Sequence, residues 1–148
     1  MIFILAVLVV VVQQEPEQAL IQLRLARKTP APGFVLTKSL ADSTLYVASR
    51  IILEDAGIQQ ARTSVTTDGL VLTIRVTPAA ATRLNESTKG HVGWRLAIFV
   101  SGQLNGAGVI KHELRVSAGS PITLAIHLPQ PAADQFATAV AARWPARR

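Results

Sequence analysis

Apolar and polar residues alternate with period two in several stretches of this chain, and each such stretch reads as a strand with one buried face. In Leu20 to Arg27, Ile21, Leu23 and Leu25 share one face, and Gln22, Arg24 and Ala26 share the other. The prolines and glycine of KTPAPGF end that strand, because they cannot continue a ladder. Thr44 to Ala48, reaching towards Ile52, predicts a second strand. In GLVLTIRV, Leu70, Leu72, Ile74 and Val76 face one way; Asp68-Gly69 before it is a hairpin signal that makes Arg62 to Thr66 the partner strand. Arg95 to Val100 and Gln103 to Ile110 form a hairpin about Ser101-Gly102, with a bulge expected near Gly106 and Gly108. Pro121 to Leu128 alternates again, with Ile122, Leu124, Ile126 and Leu128 inward.

Three segments follow the helical period instead. Leu53 to Ala61 predicts a short helix, with Glu54 and Asp55 complementing its dipole and Gly57 weakening it. Thr77 is suited to N-cap a helix begun by Pro78 and ended by Gly90, with Ala81, Leu84 and Thr88 on one stripe. Gln130 to Arg143 places Ala133, Phe136, Ala137, Val140 and Trp144 on one side. The order predicts an α+β domain: a mixed, mainly antiparallel sheet with the two main helices packed on one face.

The N-terminal Ile2 to Val12 is an unbroken apolar run, shorter than the roughly 17 to 25 residues of a spanning helix. It reads as a signal-peptide core, or as a short membrane anchor, although no Lys or Arg precedes it. This divides the chain into a leader or anchor plus linker (1–19), a domain (20–144) and a basic tail (145–148), and puts the domain outside the cytoplasm, periplasmic or secreted. Arg143, Arg147 and Arg148 concentrate charge at the C-terminus, as a solvated end or a membrane-surface contact. The net charge of +6 is otherwise scattered, without the basic stripe and interleaved aromatics of a nucleic-acid binder.

Chemistry has little to work with here. Without cysteine there is no disulfide, no Cys-based zinc site and no thiol nucleophile. His91, His112 and His127 lie at no ligand spacing, and Glu86, Glu113 and Asp134 are isolated. Ala118-Gly119-Ser120-Pro121 lacks the second glycine of a serine-nucleophile elbow, and GQLNGAG lacks the Lys-Ser/Thr ending of a phosphate loop. The residues therefore point to no catalytic, cofactor or metal site and favour a binding module, with a small hydrolase as the weaker reading.

One ordered set of segments resembles a known family. TLYVASRIILEDAGIQQARTSV, then LTIRVTPAAATRLNESTKGHVGWRLAIFVSGQLNGAGVI, then GSPITLAIHLPQPAADQFATAVAAR are similar to the head subdomain of the first periplasmic domain of SecD/SecDF-type protein-export proteins. Ala80-Ala81 and then Leu84 stand where relatives usually have Gly-Ala and then Phe, and Gly108 falls where they often have Pro. The resemblance implies a non-enzymatic, extracytoplasmic module that contacts polypeptide or an envelope or translocon protein, and the apolar run within residues 2–12 adds a route to membrane association. It also allows a head domain reused in envelope interaction or inhibition. It assigns no proton-coupling residue, because those lie in the membrane part of such proteins. Trp94 and the hairpin tip, Ser101, Gly102, Gln103 and Asn105, are the candidate protein-contact residues.

Overall fold

The computed structural model describes residues 19–39, 43–67 and 69–146. The leader, Asp68 of the hairpin signal, and Arg147 and Arg148 of the tail lie outside these residues. The elements run β1 (Ile21–Arg27), β2 (Phe34–Lys38), β3 (Thr44–Glu54), a 3-10 turn (Asp55–Gly57), β4 (Ile58–Thr66), β5 (Gly69–Val76), α1 (Pro78–Thr88), β6 (Arg95–Val100), β7 (Gln103–Val109), β8 (Ile122–Ile126) and α2 (Ala132–Arg143). The fold is α+β, and every strand pairing among the described residues is antiparallel.

The strands do not form the single sheet expected. They divide into a five-stranded sheet, β2-β3-β1-β6-β7, and a three-stranded sheet, β4-β5-β8. The chain crosses between the two at the segment read from sequence as a helix, Leu53 to Ala61. Only Asp55–Gly57 coils there, and Ile58 already opens β4. Leu53, Ile58 and Ala61 are buried at spacings of five and three, which a regular strand would put on opposite faces; the register shift between Ile58 and Gln60 breaks the period-two signal. Tertiary demand decides it: a strand here extends β5, while Gly57 lets α1 approach. A Cβ on Gly57 would sit 2.9 Å from both Ala80 Cβ and Leu53 Cδ1. The Thr77 N–H, one residue before α1, donates to the Gly57 carbonyl at 3.0 Å.

The helix start read from Thr77 is present in detail. The Thr77 hydroxyl oxygen accepts from the Ala80 N–H at 3.1 Å, and Pro78 occupies the first turn, where no intrahelical donor is needed. Ala81, Leu84 and Thr88 are buried, and the Thr88 hydroxyl donates back to the Leu84 carbonyl at 2.8 Å. Strand β2 was not foreseen, since the preceding prolines suggested a loop. It pairs with β3 from Phe34↔Ala48 to Lys38↔Thr44 as an edge strand, the position that tolerates prolines at its entry.

The main core lies between the sheets. Ile21, Leu23, Leu53, Leu72, Ile74 and Ile126 are fully buried in it, with Leu84 of α1 and Phe136 and Val140 of α2. The second face of the larger sheet is buried too, through Ala26, Leu45, Val47, Ala97, Phe99 and Leu104. Ala26, on the polar-rich face of β1, therefore belongs to a core of its own.

Three side chains bind loops and strand ends through the backbone. The Asp55 carboxylate accepts from the Leu20 and Ile21 N–H groups at 2.9 Å each and pairs with the Arg143 guanidinium. Asp55 was expected to cap a helix dipole and Arg143 to belong to a solvated tail; instead they join the start of β1 to the end of α2. Asn85 accepts from the Val116 N–H at 2.7 Å and donates to its carbonyl at 2.8 Å, holding the long β7–β8 connection on α1. Asn105 does the same for His127 just past β8, at 3.1 and 2.8 Å.

Two substitutions test this account by thermal unfolding. Asp55→Ala leaves two N–H groups without their acceptor and removes an ion pair, and is expected to destabilise by about 1–3 kcal/mol. Gly57→Ala forces α1 off the turn and is expected to cost roughly 1–3 kcal/mol by overpacking, although alanine would be the better residue in a helix. An unchanged melting temperature for Gly57→Ala would contradict the close approach.

Candidate interaction surface

The residues proposed for protein contact do not form one patch. Trp94 immediately precedes β6, whereas Ser101 and Gly102 turn the chain at its other end. Six strand residues separate them, about 20 Å at strand rise. Ser101 (φ 50°) and Gly102 (φ 83°) both take the left-handed conformation that a two-residue hairpin turn requires. Ser101, Gly102 and Gln103 are exposed. Asn105 is 5% exposed and committed to the His127 backbone, so its place in the molecule is structural. The bulge expected near Gly106 falls at Asn105, the extra residue between the Phe99↔Leu104 and Ile98↔Gly106 pairs. That bulge turns the amide towards β8.

The tip lies where the chain enters the domain. The Ser101 N–H donates to the Leu20 carbonyl at 3.0 Å, and Asp55 brings the end of α2 to the same place. Trp94 anchors the opposite end of the larger sheet. Its ring meets Phe34 edge-on at 5.7 Å and His91 at 4.4 Å, and the Arg27 guanidinium lies 4.6 Å from its centroid. These contacts give Trp94 a packing role at the core margin, with Val92 exposed beside it. Trp144 is likewise built in, its indole N–H donating to the Ile58 carbonyl at 3.1 Å.

The three histidines stay apart. His91 meets Trp94 edge-to-face, His112 is exposed in the β7–β8 connection, and His127 is exposed with its backbone held by Asn105. Among the described residues no three His, Cys, Asp or Glu side chains gather where they could hold a metal ion. Nor is any described helix long and apolar enough to cross a membrane.

Sequence reasoning missed one feature, the space between the outer strands of the two sheets. β7 and β8 run past each other from the Asn105–His127 clamp and bound a groove of about 690 Å³. Gly106, Ala107 and Gly108 line one side, Thr123, Leu124 and Ala125 the other, and Lys28 and Arg95 stand at its rim. Its only trace in the sequence is the pair of glycines in a strand.

Comparison with known proteins fits this architecture. No curated protein matches the chain. The fold is shared with a crystal structure of SecDF in its super-membrane-facing form, at 18% identity and a TM-score of 0.56, covering 84% of this chain and 19% of that one. It is shared equally with a chain from a structure of SecDF described as a membrane component that enhances protein export, at 17% identity and a TM-score of 0.56, covering 84% of this chain and 62% of that one. The chain thus spans less than two thirds of either protein. The SecDF P1 head subdomain model matches residues 34–142, from the first residue of β2 to the last turn of α2. By that match, over most of its length, the chain belongs to the SecDF P1 head subdomain family.

Proposed function

We propose that this domain is a non-enzymatic, polypeptide-binding module that works outside the cytoplasm in the service of protein export. The observation that carries the reading is membership of the P1 head subdomain family across nearly the whole described fold. One solved relative is a membrane component that enhances protein export, which is the kind of process this reading assigns to the chain. The chemistry of the surface agrees with adhesion. Acid–base catalysis needs groups within hydrogen-bond reach of one reacting atom, and the described histidines lie apart, one in an edge-to-face ring contact, one in a loop and one at a strand end.

The two ends of the domain differ in what they contact. Leu20, Ser101 and the Asp55–Arg143 pair meet at one end, so the β6–β7 tip sits beside the point where residues 1–18 join. If the apolar run 2–12 rests in or at the membrane, the tip faces the membrane side and Trp94 points away from it. The contact made by the tip is then with a chain emerging from the membrane or with a translocon component.

A photo-crosslinking residue placed at Ser101 or at Gln103, in cells exporting protein, tests this. Adducts with secreted or translocon polypeptides are expected, and fewer from the same probe at Val92. Adducts confined to cytosolic proteins would reject the reading.

A further inference from the structure

We infer that the groove between β7 and β8 is a strand-addition site for an extended polypeptide segment carrying a carboxylate, held by β7's free edge and by Arg95 and Lys28. The inference rests on the polypeptide-binding reading above and names the site and the chemistry of the segment.

Two sheet edges face each other here without pairing. β7 has β6 as its one strand partner, and β8 has β5. Among the described residues the bond that joins the two edges is the Asn105 side chain on the His127 backbone. Past that clamp, the outward N–H and C=O groups of Gly106 to Val109 form an open edge, and an unpaired edge is a template for an incoming strand. The other outer strands offer less. β4 lies against α2, and the residues of β2 do not line this groove.

The glycines single out β7. Neither Gly106 nor Gly108 has the positive φ that would require glycine. A Cβ on either would meet no atom within 4 Å. Neither backbone conformation nor internal packing therefore explains them, while glycine inside a strand costs roughly 0.5–1 kcal/mol relative to alanine. A bare strand facing open space leaves room for a second backbone to come close. The floor of the groove is apolar, through Leu45, Ala107 and Leu124, which suits the side chains that alternate along an added strand.

Charge defines the segment further. Among the described residues Lys28 and Arg95 line the groove and no carboxylate does. Neither cation has a hydrogen-bond or ion-pair partner among the described residues. Arg95 pairs with Val109 across the ladder, so it stands at the Gly108 end. Guanidinium is suited to bidentate capture of a carboxylate, and that capture would fix the register of the added strand.

The test uses the full chain in mild detergent and a fluorescein-labelled, Thr/Val-rich peptide of about eight residues, a common strand length, with one central Glu. Binding is read by fluorescence anisotropy. Saturable binding is expected. The same peptide with alternate backbone nitrogens methylated should bind at least about tenfold more weakly, a loss of about 1.4 kcal/mol. The double variant Gly106→Val/Gly108→Val should lose affinity to a similar degree while its circular-dichroism melt is not lowered, since β-branched residues suit strands. Arg95→Gln should abolish the preference for the Glu peptide over its Gln analogue. Equal affinity for the methylated peptide, measured on the unaltered protein, would overturn the inference whether or not the double variant folds. If exported polypeptides still crosslink to the hairpin tip while the peptide fails to bind, the groove assignment falls and the export reading stands. If neither occurs, both fall.

Discussion

The Asp55 carboxylate is the joint of this molecule. It takes the first two N–H groups available at β1 and the guanidinium of the last residue of α2, and it does so from the turn where the chain leaves one sheet for the other. Unpaired, those N–H groups would be costly in a half-buried setting, because desolvation is not recovered without an acceptor. With the carboxylate in place, the start of the domain, its end and its crossing point share one locus. Gly57 completes the joint from the other side by letting α1 sit on the turn. The two sheets can then press their apolar faces together, and Leu23, Leu72 and Ile74 are fully buried between them.

A fold built this way has outer strands with spare hydrogen-bonding capacity. Natural sheets usually blunt such edges with charge, proline or a covering helix. Here β4 is flanked by α2 and β2 is entered through prolines. β7 is treated differently. Its bulge at Asn105 spends one amide on fastening β8, and its next residues are kept bare. The same strand thus closes the fold at one end and leaves it open at the other. That is a sensible division for a protein that must remain stable while offering backbone to a partner.

Both tryptophans have internal partners. Trp94 is packed by Phe34, His91 and Arg27, and Trp144 is tied to Ile58. Burying large rings at the margins of a small core is an effective use of them, since their area contributes more than that of any aliphatic residue. In the proposed groove, recognition would fall to strand backbone and two cations. Recognition of that kind would favour extended chains over one particular sequence.

The sequence by itself determined most of the elements, because they depend on local periodicity. Strands β1, β5, β6 and β8 follow period-two alternation, and α1 follows a Thr-Pro start and a single apolar stripe. The ordered set of motifs also placed the chain with the SecDF P1 head family. What it could not determine was how the strands are shared out. Alternation reports that a face is buried but not what covers it, so two sheets read as one. The segment Leu53 to Ala61 reads as a helix, because the turn at Asp55–Gly57 and the register shift at Ile58/Gln60 interrupt the alternation that marks a strand. Asp55 read as a helix cap and Arg143 as a tail, since partners 88 residues apart leave no local trace. The groove beside Gly106 and Gly108 belongs to the same class. It is a space between two edges that belong to different sheets, and only the tertiary arrangement of those sheets creates it.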